Sequence, residues 1–407
     1  MTDVTDAYPA AIRDARFNVD GLEQELARRH ELLRADLAAL GADALVATRE
    51  GVVTYLTGYT THTWSNFSRP IVAVLFADGP LVVLSADTEA QALAVRVPGV
   101  VAVPYGGLRR VEQGAPLPDG RYQFMPGCGE ALERLLRERG VGRIAADGLH
   151  AIHPPISQVT AALGDWGGGI VDASTQVWHH RLHKSDWEVA QLTRAARVLE
   201  AAFETLPDRL QPGMTERELH GQLAAASFEA GADEIGYTNV VTLGQGREIF
   251  GAPTDKRWER GEVLYVDGGV VVNGYWADFC RQYTIGEPTE AQVAGMARAV
   301  HARDVALEAF HDGMTAGDLG RVIEEATGVD ASAHQAGRFG HGIGLYMPEP
   351  PSIAGVDDSP LDEGVAFCLE PAVMHEETHY VIEEEYVVRA GELVAITEPS
   401  PRELIAL

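Results

Sequence analysis

The chain has 407 residues, 46% of them hydrophobic and 23% charged, and no apolar run approaches the ~20 residues needed to span a bilayer, so a globular protein of two to three domains is expected. A formal net charge of −28 disfavours nucleic acid and anionic membranes as partners. The three cysteines, Cys128, Cys280 and Cys368, are far apart and odd in number, which excludes a disulfide framework and makes a reducing cytoplasm the expected compartment.

The N-terminal stretch MTDVTDAYPAAIRDAR is polar and acidic, without the basic and apolar regions of a secretory signal. Apolar residues at helical spacing predict a first helix over Gly21–Gly41, with Gly41 as its stop. The following ADALVATREGVVTYLTGY reads as short, buried, β-branched strands. IVAVLFADGPLVVLSA predicts a hairpin around Asp78-Gly79. Gly106–Gly129 is rich in Pro and Gly and reads as a loop. ALERLLRERG and VGRIAADG then read as helix and strand, and a further helix-strand pair follows. This alternation predicts a layered α/β domain over residues 1–178.

The second domain, residues 179–407, is expected to open with one long amphipathic helix over Arg181–Leu206, helped by a capping Ser185. GMTERELHGQLAAASFEAG gives a second helix capped by Thr215. EPTEAQVAGMARAVHARDVALEAFHDG and TAGDLGRVIEEATG give two more, so a helix-helix-strand pattern occurs twice.

Five residues of this second half stand in short apolar motifs with turn signals around them. Asp267 lies in VLYVDGGVVVNGYWADFCR, with Asp278 eleven positions on. His341 lies in GRFGHGIGLYMPEPPSI, Glu370 in FCLEPAVM and Glu383 in YVIEEEYVV. Four carboxylates and an imidazole buried without partners would be costly, and bound cations remove that cost. Two ions sharing bridging carboxylates accommodate four carboxylates better than one. Strand alternation turns Glu384 away from Glu383 and Glu385, though spacing alone allows either Glu383 or Glu384 as the last ligand.

The order and context of these motifs resemble the creatinase/aminopeptidase P/methionine aminopeptidase superfamily, the M24 metallohydrolases. The resemblance covers nearly the whole chain. It implies an α/β (α+β) protein with a creatinase/prolidase-like N-terminal domain followed by a pita-bread catalytic domain. Carried over, it makes Asp267 a chelator of one metal, His341 and Glu370 ligands of the other, and Asp278 and Glu383 bridges. It gives Glu370 a second role as acceptor of the attacking water's proton. The Ile-Glu-Glu phrase matches the family's Ile-Glu-Asp best with Glu383 as ligand.

Three departures accompany these matches. Family peptidases usually carry substrate-handling histidines where this chain has Phe250, in FGAPTDK, Gly337, four residues before His341, and Pro348, in HGIGLYMPE. His375 and His379 lie between the two Glu ligands, where either could replace a lost imidazole. Phe250, Trp276 and Tyr346 lie beside the motifs and could wall a cationic substrate.

An oxygen and imidazole donor set, without thiolate, suits two divalent ions from among Mn, Fe, Co and Zn. The expected reaction is hydrolysis of a C–N bond in a short peptide, as in an Xaa-Pro dipeptidase or aminopeptidase. The missing histidines keep open a hydrolase or lyase of a small zwitterion, as creatinase is for creatine, and the full ligand set disfavours a non-catalytic binding module. Creatinase-like relatives also imply a homodimer in which a loop of the first domain reaches the partner's site. The segment TTHTWSNFSRP, with His62, Trp64 and Arg69, is the candidate for that loop.

Overall fold

The computed structural model describes residues 19–61, 64, 70–97, 99–105, 127–147, 166, 169–244, 249–329 and 337–407. The chain divides into two compact units, residues 1–181 and 182–407.

In the first unit, α1 (Leu22–Leu40) buries Leu22, Leu26, Leu33 and Leu37 along one face, and Gly41, at φ 63°, ends it. A six-stranded sheet follows, built from β1 (Ala44–Ala47), β2 (Val72–Phe76), β3 (Val82–Ala86), β4 (Val101–Tyr105), β5 (Ile144–Ala146) and β6 (Ile170–Asp172) in the order β4-β3-β2-β1-β5-β6. β2 and β3 pair antiparallel across the Asp78-Gly79 turn, as the hairpin signal predicts. Between β1 and β2 the sequence expectation fails: Glu50–Thr57 is a helix, α2, not a strand. Residues 51–57 are all buried, so their β-branched side chains carry no alternating pattern, and Gly58 at φ 66° closes the helix by accepting the left-handed conformation. Helices α3 (Asp87–Arg96) and α4 (Cys128–Glu138) complete the described part, with α4 burying Ala131, Leu132, Leu135 and Leu136. The N-terminal stretch before residue 19 and most of the Pro/Gly-rich segment lie outside the described residues; its last residues, from Cys128, open α4.

Residue 178 falls inside α5 (Ser174–Leu182), and the long helix expected from Arg181 is interrupted there. His183 bridges to Val365 and the Lys184 amide bonds the Gly364 carbonyl, so sheet pairing claims this backbone before Ser185 caps α6 (Asp186–Arg209). Three further helices follow: α7 (Glu216–Ala230), α8 (Glu290–Ala309) and α9 (Ala316–Thr327). Each of the four opens with a reciprocal capping box, at Ser185/Glu188, Thr215/Glu218, Thr289/Gln292 and Thr315/Asp318.

The sheets of this unit carry the site motifs. β7 (Glu234–Leu243), β8 (Val263–Val272) and β9 (Tyr275–Thr284) form an antiparallel meander, extended by the parallel β17 (Ile405–Ala406). A second sheet has the order β11-β10-β12-β15-β16, from β10 (Gly340–Gly342), β11 (Glu349–Ser352), β12 (Ala366–Leu369), β15 (Glu384–Arg389) and β16 (Glu392–Ala395). β13 (Ala372–His375) and β14 (Thr378–Val381) make a separate hairpin. Phe339, Ile353, Leu361, Val365, Phe367 and Leu369 pack into one core on the side of β12 opposite to Cys368.

Candidate metal centre

All five motif residues reach one region. Asp267 on β8 and Asp278 on β9 come from neighbouring strands, with Gly269 opposite Asp278 in the register. His341 sits in the middle of β10, opposite Cys368 of β12. Glu370 follows β12 directly, its amide bonded to the Phe339 carbonyl. Glu383 precedes β15, and the Ser400 hydroxyl bonds its carbonyl. His341 Nε2 lies 3.5 Å from Asp278 Oδ2 and 3.6 Å from Glu370 Oε1.

The electrostatics are those of uncompensated charge. Burial, then the charge of Asp278, pushes Asp267 well above the usual carboxylate range. Burial raises Asp278 to about 7, with Arg338 pulling against it. Glu370 also rises to about 7, through burial opposed by His341. Glu383 is raised by burial and then by Asp278, Asp267 and Glu370. Burial lowers His341, which favours the neutral imidazole that ligates metals. Asp267 Oδ1, Asp278 Oδ1, Glu383 Oε2 and Glu385 Oε2 are buried with no hydrogen-bond partner. Orphaned carboxylate oxygens beside a neutral imidazole are a donor set that fits a divalent cation.

The supporting residues fix this geometry. Glu349 Oε1 accepts the amides of Leu345 and Tyr346, at 2.9 and 3.0 Å, and Lys184 Nζ donates to its Oε2 at 3.2 Å. This buried pair holds the turn after His341. The Gly344 carbonyl accepts the Trp276 amide at 2.9 Å, which ties that turn to the strand of Asp278. Gly342 has no alternative, because an added Cβ would lie 1.9 Å from the Pro350 carbonyl oxygen. Tyr237 and Tyr265 oppose the rise of the Asp267 carboxyl, which burial and Asp278 cause.

The three adjacent glutamates, Glu383 just before β15 and Glu384 and Glu385 on it, separate by the pleat. Glu384 turns to Arg303 Nη1, 2.6 Å away, and to the Tyr386 hydroxyl. Glu383 and Glu385 face the centre, and Glu385 Oε1 accepts the Asp278 amide at 2.6 Å. Glu385 is thus a supporting residue that the motif match did not single out.

Two further residues were passed over in the sequence. Cys280 is paired with Asp267 in the β8–β9 register. Cys368 Sγ lies with ligand atoms of Asp278, His341 and Glu383, all within 4.8 Å of one another. Both thiols thus stand beside the cluster, where the sequence reading expected oxygen and nitrogen donors alone. The signal was period two: Cys280 is two residues after Asp278 and Cys368 two before Glu370, so each shares its neighbour's face.

The expected substrate-contacting residues lie on several separate segments of the chain. Phe250 is 46% exposed, and the carbonyl of Ile249 beside it is anchored by Asn239 Nδ2, opposite Asp267 in the β7–β8 register. Tyr346 is half-buried in the turn after His341. Gly337, at φ 68°, and Pro348 are exposed. His379 is buried on β14, with its carbonyl accepting Gln282 Nε2, and His375 lies at the end of β13. Trp64 belongs to the first unit, its Nε1 buried without a partner; His62 and Arg69 lie outside the described residues.

Sheet architecture and an acid-rich buried centre define a metallohydrolase. Residues 190–398 match Metallopeptidase family M24, and residues 29–182 match the Creatinase/Prolidase N-terminal domain. The chain belongs to the metallopeptidase family M24. Among its relatives, a probable dipeptidase PepE of Mycobacterium tuberculosis is 29% identical over 85% of this chain and 87% of its own length. The Xaa-Pro dipeptidase of Pyrococcus furiosus is 28% identical over 47% of this chain and 56% of its own. The fold is also that of the X-Pro aminopeptidase from Thermotoga maritima MSB8, with a TM-score of 0.77, 22% identity, and coverage of 93% of this chain and 99% of that one.

Proposed function

We propose that the protein is an Xaa-Pro-type dipeptidase or aminopeptidase that hydrolyses a peptide bond in a short substrate. In this reading two divalent cations, from Mn, Fe, Co and Zn, are held by Asp267, Asp278, His341, Glu370 and Glu383, with Asp278 and Glu383 shared between them. The observation that carries it is the group of buried carboxylate oxygens left without hydrogen-bond partners at Asp267, Asp278 and Glu383. Such cations supply an activated water and polarise the scissile carbonyl.

The chain's own residues do the rest. Glu370, which keeps 14% side-chain exposure beside His341, is placed to take and return a proton once the cations are bound. Arg338 places a positive charge felt at Asp278, His341 and Glu370, and its Nε is buried without a partner. A cation there suits the free carboxylate of a dipeptide. Phe250 offers an apolar surface where the peptidase pattern has an imidazole. The relatives named dipeptidases favour peptide chemistry over a small zwitterion.

Metal-free protein reloaded with Mn, Co or Zn tests this against a panel of Xaa-Pro dipeptides and methionyl tripeptides. Xaa-Pro cleavage is expected. Methionyl tripeptides should turn over far below the order of 10 s⁻¹ typical of enzymes on their own substrates. Absence of any metal-dependent Xaa-Pro cleavage would refute the proposal.

A further inference from the structure

The centre contains a donor of different chemistry from the five motif residues. We propose that Cys368 Sγ is a direct ligand of a cation held by Asp278, His341 and Glu383, making the site a mixed nitrogen, oxygen and sulfur centre. The inference rests on the cation-binding reading of the cluster given above, and it deepens that reading by naming the class of metal.

Position comes first. β12 runs between β10 and β15, so His341, Cys368 and Glu385 form one cross-strand row. The other side of β12 is committed to the apolar core through Phe367 and Leu369, which leaves Cys368 with the face of Glu370. Its Sγ and one ligand atom each of Asp278, His341 and Glu383 lie within 4.8 Å of one another. Four donors at that mutual separation can converge on one ion with small side-chain rotations.

A second, independent observation points the same way. Asp278 and Glu383 are 3% and 2% exposed, and each keeps one buried carboxylate oxygen without a partner. Among the described residues, Cys368 makes one polar contact, a 3.7 Å approach of Sγ to the Asp278 carbonyl. Cys280 is differently placed: it stands opposite Asp267 in the β8–β9 register, outside that set of mutually close donors. The two cysteines therefore divide: Cys368 ligates and Cys280 does not. When the sulfur binds the cation, its proton is released to solvent and no oxidant is involved.

A thiolate ligand selects Zn, Fe or Co over Mn and Mg. Two measurements test it on the full-length protein, stripped of metal and reloaded. Zn X-ray absorption of the unaltered protein should show a sulfur scatterer at about 2.3 Å. Co²⁺ alone should give an intense near-ultraviolet thiolate-to-cobalt band, lost in Cys368→Ser and kept in Cys280→Ser. The preference for Zn over Mn should fall about tenfold or more in Cys368→Ser. A zinc shell of nitrogen and oxygen only, or a cobalt band that survives in Cys368→Ser, would overturn the ligand assignment. No peptide enters these measurements. A sulfur-ligated metal in a protein that cleaves no Xaa-Pro substrate would sink the proposed activity and leave this inference standing.

Discussion

Arg303 and Glu384 form a buried pair, Nη1 to Oε1 at 2.6 Å, while Glu383, one residue earlier, faces the carboxylate cluster. The Ser400 amide also donates to Glu384 Oε1 at 2.6 Å, so this carboxylate is fully engaged away from the centre. Adjacent glutamates thus have different tasks, and substitution should separate them. Glu384→Gln leaves Arg303 with Asp304 as its remaining anionic partner and should cost about 1–3 kcal/mol of stability. Its metal content should remain that of the parent. Glu383→Gln should lose metal. Denaturant titration with elemental analysis reads both, and metal loss in Glu384→Gln would reverse the assignment.

Asp278 stands between the two strands' worth of ligands, 3.5 Å from His341 Nε2 and bonded through its amide to Glu385. If it is shared between two cations, Asp278→Asn should release or misplace both. Elemental analysis after dialysis should find well under the parental equivalents. A full complement of two, bound as tightly as in the parent, would contradict the shared role.

The cluster also makes a pH prediction for the metal-free protein. Asp278 and Glu370 rise from ordinary values of 3.8 and 4.5 to about 7 in the folded state, chiefly through burial. Raised carboxylates favour folding while protonated. Their contribution is therefore complete below about pH 4 and is lost as pH rises through about 7. Other carboxylates paired with arginine oppose this at the acid end, so the clean readout is the difference between metal-free and metal-loaded protein. The gap in Tm should widen between pH 5 and 8, because cations replace protons at the same oxygens. A gap independent of pH over that range would show that these carboxylates are not where the cation binds.

Much of this was legible because the motifs are punctuated by residues with one use. Gly342 lies against the Pro350 carbonyl, and Ser185, Thr215, Thr289 and Thr315 all cap the helices that follow them. What the sequence hid was burial without periodicity. Residues 51–57 are buried on every side, which leaves helix and strand undistinguished until Gly58 is seen as a helix stop. The cysteines were hidden for a different reason: spacing along the chain excludes disulfides and CxxC sites, but says nothing of cross-strand partners. Only the β8–β9 and β10–β12 registers place Cys280 beside Asp267 and Cys368 beside His341.

Arg338 gives the last prediction, on substrate choice. It stands three residues before His341, its charge acts on Asp278, Glu370 and His341, and its buried Nε has no partner. A dipeptide's terminal carboxylate would meet that charge, whereas a dipeptide amide would not. A charge-assisted hydrogen bond of about 1.5–3 kcal/mol corresponds to a roughly ten- to hundred-fold effect on binding. Arg338→Ala should therefore raise KM for an Xaa-Pro dipeptide by that factor and change KM for the matching amide little. The parent enzyme should prefer the free acid by a similar margin. Removing the guanidinium also removes a positive charge beside Glu370, so kcat against pH should be recorded for both substrates to separate a shifted proton acceptor from a lost contact. Equal losses in KM for acid and amide would mean that Arg338 supports the centre's fold or charge and does not read the substrate's terminus.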